Sequence, residues 1–159
     1  MHIVIIEDEQ GIRQELSQLL RDALYKVTAI ENFEQLSEKV LELQPDLVLL
    51  DLNLPGISGF EVCGEIRKHS EVPIIFVTSR TDAMDELTGM VKGGDDYITK
   101  PFYPPVLLAH IAAVLKRTRK KEEETPRFFH KGVELDLARG CICYGDKQQE
   151  LSKNEMKIL

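Results

Sequence analysis

The chain has 159 residues, 43% of them hydrophobic, with 27 acidic against 20 basic side chains and a formal net charge of -7. That length suits one full-sized hydrophobic core plus a fragment of a second, and the acidic balance excludes a surface built mainly to hold nucleic-acid phosphates. No apolar run approaches membrane-spanning length and no secretory signature opens the chain. Cys63, Cys141 and Cys143 are odd in number and suggest no disulfide framework, so a soluble cytoplasmic protein with no membrane partner is expected.

Four apolar runs punctuate the first two thirds of the chain: Ile3 to Ile6, a weaker run from Tyr25 to Ile30, Leu47 to Leu50, and Ile74 to Val77. Unbroken apolar runs of this length mark strands covered on both faces. Between them, Ile12, Leu16, Leu19, Leu20, Ala23 and Leu24 recur at helical spacing, as do Phe33, Leu36, Val40 and Leu43, predicting two helices with one buried face each. A helix is predicted from about Phe60, a less regular one from about Ala83, a fifth strand at Tyr97 to Thr99, and a last helix from Pro104 through Leu115. Strands alternating with helices imply an α/β fold, a five-stranded parallel sheet wound on both sides. Function in such sheets gathers at the carboxyl ends of the strands.

The charge run from Lys116 through Glu124 ends at Pro126, and residues 120–126 read as a linker between a first domain, 1–119, and a segment 127–159. That segment has short β-like pieces at Phe128-Phe129, Val133 to Leu135 and Cys141 to Tyr144, separated by glycine turns, which predict a small antiparallel sheet. Ser152 with Glu155 three residues later is a capping-box pattern, so a helix is expected to open there. Cys141 and Cys143 with His130 are three zinc-type ligands without a fourth, which argues against a zinc site. Cys63 reads as a core residue.

The chemistry lies at the predicted strand ends: Glu7 and Asp8 after the first strand, Asp51 after the third, Thr78 after the fourth, Lys100 after the fifth. Each has a bland reading alone: an acidic helix start, a turn residue, a helix cap, a solvated lysine. Together they face one crevice. Three carboxylates there repel one another unless a cation sits among them. Mg2+ suits them, because it takes oxygen ligands and keeps room for water and a phosphate oxygen. Glu7, Asp8 and Asp51 are its candidate ligands, with the backbone carbonyl of Asn53 added as the chain turns at Leu54-Pro55-Gly56. Asp51 can then act as a nucleophile toward a phosphoryl donor, while Lys100 and the Thr78 hydroxyl face the charge of the transferring group. Lys100 precedes Pro101, a peptide bond able to be cis.

The ordered set Glu7-Asp8, Asp51, Thr78 and Lys100-Pro101-Phe102, with Gly93-Gly94-Asp95-Asp96-Tyr97 ahead of the lysine, resembles the receiver domain of bacterial two-component response regulators. That family has the flavodoxin-like, CheY-like form of the α/β fold. The stretch from Phe128 to Leu159 resembles the opening of the winged-helix output domain of the OmpR/PhoB branch. Ser79-Arg80, Met84-Asp85, Phe102-Tyr103, Val106-Leu107 and Lys153 to Leu159 are similar to regulators answering bacitracin and other antimicrobial peptides. The resemblance implies a sensor histidine kinase that donates a phosphoryl group to Asp51, a switch through Thr78 and Tyr97, and a homodimer once phosphorylated. It also implies control of promoter DNA by the full-length protein and no enzymatic activity beyond phosphorylation and dephosphorylation of Asp51 itself. Asn53 and Arg80, two residues past Asp51 and Thr78, are candidates for setting the phosphoryl lifetime.

Thr88 and Val106 depart from the branch pattern, standing where a basic residue and its glutamate partner are common on the dimer face. Asp95, Asp96 and His110 remain candidates there. The groove-reading helix is expected beyond Leu159, so these residues alone are not expected to bind specific DNA. Two other functions share part of the pattern. A stand-alone receiver would serve as a phosphoryl sink or a protein-interaction module. A magnesium-dependent phosphatase would want a second acid two residues after Asp51, where Asn53 stands.

Overall fold

The computed structural model describes residues 1–123 and the strands Arg127–His130, Val133–Asp136, Cys141–Tyr144 and Lys147–Glu150, with side chains to residue 120. It divides into two compact units, Met1–Lys116 and Arg117–Leu159. In the first unit the elements run β1 (His2–Ile6), α1 (Gln10–Asp22), β2 (Lys26–Ile30), α2 (Leu36–Leu43), β3 (Leu47–Leu50), and a short hairpin of β4 (Asn53–Leu54) and β5 (Ile57–Ser58). They continue with α3 (Gly59–Arg67), β6 (Ile74–Thr78), α4 (Ala83–Val91), β7 (Asp96–Thr99) and α5 (Pro104–Glu123), a helix that belongs to this unit as far as Lys116.

Five strands form one sheet in the order β2-β1-β3-β6-β7, every pair parallel. Strand parity explains why their sequences are apolar throughout. Val4, Ile6, Val48, Leu50, Ile74 and Phe76 pack on one face with Leu36 and Val40 of α2 and Val62, Cys63 and Ile66 of α3. Ile3, Ile5, Leu47, Leu49, Ile75 and Val77 pack on the other with Leu16 and Leu20 of α1 and Leu107, Ile111 and Val114 of α5. The doubly wound parallel α/β fold expected from the sequence is present. Each of these side chains contributes on the order of 1.5–3 kcal/mol by leaving water, an upper figure because the unfolded chain already hides part of it.

Three local differences have plain causes. Leu24, counted on the buried face of α1 by periodicity, lies beyond the helix at φ 69° and is 91% exposed. The Leu24 N–H donates to Arg21 O and the Tyr25 N–H to Leu20 O, the double closure that ends a helix on a left-handed residue. Phe33 precedes α2 instead of belonging to it. And α5 runs through the charge cluster to Glu123, so most of the expected linker is helix: no residue from Lys116 to Glu123 is a helix breaker, and Lys, Arg and Glu are strong formers. Only Gly89 of α4 is buried, which is why that helix showed no regular apolar stripe.

In the second unit, β8 (Arg127–His130), β9 (Val133–Asp136), β10 (Cys141–Tyr144) and β11 (Lys147–Glu150) form an antiparallel sheet in the order β11-β10-β9-β8. β11 was not foreseen, because Lys-Gln-Gln-Glu carries no apolar alternation. The helix expected at Ser152 lies outside the described residues.

Candidate functional site

The carboxyl ends of β1, β3, β6 and β7 converge, as parallel pairing requires. Asp51 follows β3 directly, its N–H donating to Ile6 O at 3.0 Å, so the residue after Leu50 is held beside the end of β1. Glu7 and Asp8 stand one and two residues past β1. Thr78 closes β6 and is fully buried, and the Lys100 N–H donates to Thr78 O at 2.8 Å. The Lys100-Pro101 peptide is cis.

These contacts bring the predicted groups together. The Lys100 ammonium bonds Glu7 Oε2 and lies 3.1 Å from Asp51 Oδ2. Glu7 Oε1 accepts the Glu9 N–H at 3.1 Å, and Asp51 Oδ1 accepts the Asn53 N–H at 3.2 Å. Glu7 and Asp51 are buried, whereas Asp8 is exposed at the mouth. Burial pushes the Glu7 carboxyl up to about 7; the Lys100 hydrogen bond opposes this and the Asp51 charge adds to it. Burial also works against the Lys100 ammonium, but the hydrogen bond to Glu7 and the charge of Asp51 outweigh it and leave its pKa raised.

One oxygen from each of Glu7, Asp8 and Asp51 lies within 4.8 Å of the others. Three hard oxygen donors at that spacing fit a small divalent cation. The cleft above them has a volume of about 720 Å³ and is lined by Glu9, Ser79 and Phe102 besides the acids and Lys100. A phosphate-sized group has room there.

Tyr97 sits on β7, half-buried, with its ring 6.2 Å from that of Phe76 and its hydroxyl donating to Arg80 O at 2.8 Å. Arg80 in turn donates from Nε to Asn53 Oδ1 at 3.0 Å, joining the two residues suspected of setting phosphoryl lifetime. His110 pairs with Asp96 at 2.5 Å. Asp95 turns the other way, its Oδ2 receiving Arg67 Nη2 and the Ile74 N–H, both at 2.9 Å. The Thr88 hydroxyl donates to Met84 O at 2.7 Å, and Val106 is exposed.

Gly59 was missed. A Cβ there would lie 2.2 Å from the Asp51 carbonyl oxygen and 2.8 Å from Leu52 Cα, so only glycine lets α3 start against the Asp51 loop. Its sequence signal was Ser58-Gly59 before the helix, where Ser58 caps Phe60 N–H at 3.2 Å.

The family model for the response regulator receiver domain matches residues 3–112. The chain belongs to that family. Receivers of this kind are not enzymes acting on other substrates; their chemistry is their own phosphorylation and dephosphorylation. The sensory transduction protein BceR of Halalkalibacterium halodurans is 39% identical over 158 residues, covering 99% of this chain and 68% of that protein. The response regulator protein GraR of Staphylococcus aureus is 37% identical over 160 residues, covering 100% and 71%. Among solved structures, the BeF3-activated N-terminal receiver domain of Klebsiella pneumoniae RstA is 31% identical with TM-score 0.70, covering 73% of this chain and 99% of that one. The N-terminal domain of the nisin resistance regulator NsrR, a lantibiotic response regulator, is 40% identical with TM-score 0.66, covering 72% and 97%. The receiver is thus related to antimicrobial-response regulators, and its family implies a sensor histidine kinase as partner. The Glu7, Asp8 and Asp51 cluster resembles the phosphoacceptor and magnesium site of such domains. Among the described residues, no helix is long and apolar enough to cross a membrane.

Proposed function

We propose that this chain accepts a phosphoryl group on Asp51 from a sensor histidine kinase and passes the change to a DNA-binding output domain. The observation that carries the phosphoacceptor role is the convergence of Glu7, Asp8 and Asp51 oxygens around one point, with Lys100 bonded to two of the three acids. Glu7, Asp8, Asp51 and the Asn53 carbonyl would hold Mg2+, which supplies positive charge to the incoming phosphoryl oxygens when bound. An Asp51 oxygen attacks phosphorus, the bond to the donor breaks, and Lys100 and the Thr78 hydroxyl steady the transferred oxygens.

Thr78 and Tyr97 then carry the change to the face of α4, β7 and α5. Met84, Leu87, Val91, Tyr103 and Val106 are exposed on that side, and with Thr88 and Val106 replacing an ion pair the face is apolar. The exposure of these apolar side chains supports a phosphorylation-dependent homodimer through that face, with Asp96 and His110 at its edge and Asp95 anchored to Arg67. Full-coverage likeness to BceR and GraR supports residues 1–119 as the receiver, 120–126 as the connection and 127–159 as the start of a winged-helix domain that acts on promoter DNA. The setting is cytoplasmic, and an antimicrobial-peptide stimulus is supported by the likeness to NsrR, a lantibiotic response regulator.

The test is phosphorylation by a small phosphodonor with Mg2+, read by intact mass. One phosphoryl per chain is expected, none in Asp51→Asn or with chelator present. Equal labelling of the Asp51→Asn chain would remove Asp51 from its role.

A further inference from the structure

Glu7, Asp8 and Glu9 join β1 to α1, and the first two belong to the acidic cluster. Glu7 is held through its side chain, by the Lys100 ammonium and the Glu9 N–H. Asp8 is exposed, and among the described residues no hydrogen bond holds its carboxylate, so its direction follows from its main chain. That main chain is tied to Arg13, one turn into α1. The Arg13 N–H donates to Glu9 O at 2.9 Å and Nη1 donates to Glu7 O at 3.0 Å, with Asp8 O a longer 3.4 Å from the same nitrogen. The carbonyl of Arg13 is itself fixed by the buried Ser17 hydroxyl at 2.7 Å. The side chain is 13% exposed, and a guanidinium so covered is costly unless its donors are used. Its carboxylate neighbour Glu31 is 3.8 Å away and 79% exposed, a contact worth little. The shorter bonds go to the carbonyls of the loop. Arg13 does not line the cleft, whereas Ile12 and Glu15 of the same helix do.

We propose that Arg13 is a positioning residue for the metal: it fixes the main chain between β1 and α1 from the side away from the cleft, so that the Asp8 carboxylate is set beside Glu7 and Asp51 before a divalent cation arrives. The inference rests on those three acids as the metal site. Mg2+ asks for near-ideal octahedral geometry from a few protein oxygens. A ligand on a loop that wanders must be ordered as the ion binds, and that ordering is subtracted from the affinity. Groups that orient ligands without touching the metal typically account for roughly tenfold to a hundredfold in binding. Charge alone predicts the opposite sign. A guanidinium beside three carboxylates repels an incoming cation, so deleting it with no loss of order should tighten binding. The direction of the change therefore separates the two effects.

The full chain is titrated with Mn2+, an oxygen-seeking probe for the same acids, and free Mn2+ is counted by electron paramagnetic resonance. Arg13→Ala should bind Mn2+ roughly tenfold more weakly than the wild type. Arg13→Lys, which keeps the charge but not the forked donors, should fall in between, and Glu31→Gln should bind as the wild type does. In phosphorylation by acetyl phosphate, the Mg2+ needed for half-maximal labelling of Asp51 should rise by the same factor in Arg13→Ala, while labelling at saturating Mg2+ changes far less. Binding that is unchanged or tighter in Arg13→Ala overturns the proposal, as does a loss in Glu31→Gln equal to that in Arg13→Ala. If circular dichroism shows Arg13→Ala unfolded, Arg13→Lys decides by the same comparison: weaker binding supports the proposal and equal or tighter binding overturns it. A wild-type chain that binds no Mn2+, or that binds it no better than Asp8→Asn, overturns the metal-site reading and this inference with it.

Discussion

Replacing Lys100 with methionine keeps an apolar stem and removes the ammonium. In the structure that ammonium is bonded to Glu7 and lies 3.1 Å from Asp51 Oδ2, with the three side chains only 11%, 2% and 6% exposed. Losing one partner of a buried pair costs about 3–5 kcal/mol when the other charge is stranded. Here Glu7 has an escape, because burial already lifts its carboxyl to about 7. On the acid side of that value Glu7 is mostly protonated in the folded chain, so Lys100→Met forfeits chiefly the Asp51 contact, about 1–2 kcal/mol.

Above it the two proteins part. A folded pKa raised over the ordinary 4.5 means that the native state binds more protons than the unfolded chain, so stability falls as pH rises between the two values. Without the lysine hydrogen bond, Glu7 keeps its proton to still higher pH, and the variant goes on losing stability after the wild type has levelled off, at up to about 1.4 kcal/mol per pH unit. Lys100 itself does not titrate in this window: its raised pKa leaves its pairing fully present below the ordinary 10.5. Urea unfolding in metal-free buffer near pH 5.5 and pH 8.5 should show the loss growing from about 1–2 to about 3–4 kcal/mol. Adding Glu7→Gln should abolish the growth. An equal loss at both pH values would refute the coupling of Glu7 and Lys100 argued from their geometry.

Gly59→Ala places a methyl against the Asp51 carbonyl and Leu52 Cα, backbone atoms that cannot rotate away. The chain should lose about 3 kcal/mol in urea unfolding and label more slowly at Asp51, and a near-neutral result would mean that the helix start can move without disturbing the site. Leu24→Gly should raise stability by about 0.5–1 kcal/mol, because Leu24 sits at φ 69° with 91% of its surface exposed and so loses strain without losing packing. Leu24→Ala, which keeps the Cβ, should change little by the same measurement.

The sequence exposes the site because a parallel sheet puts the end of every apolar run at one edge: Glu7, Asp51 and Thr78 are each the first polar group after or at the close of such a run, Lys100 directly follows Thr99 at the end of β7, and the strand order β2-β1-β3-β6-β7 then sets them side by side. Contacts made from loops carry no such periodic mark. Nothing in the spacing says that Arg67, at the end of α3, spans to Gly93 O, Val72 O and Asp95, or that Arg80 closes onto Asn53. For the neighbours Asp95 and Asp96 the sequence leaves open which one His110 takes. The start of β7 decides it: Asp96, the first residue of the strand, pairs with His110 of α5, while Asp95, in the bend just before the strand, is held by Arg67 of α3 and the Ile74 N–H. The consequence reaches function. Asp95 is committed to holding the loop before β7, which leaves the Asp96–His110 pair and the apolar side chains of α4 and Val106 to set the character of the outer face. Where the branch pattern places an ion pair, this chain offers apolar surface, and association through it should therefore answer weakly to salt.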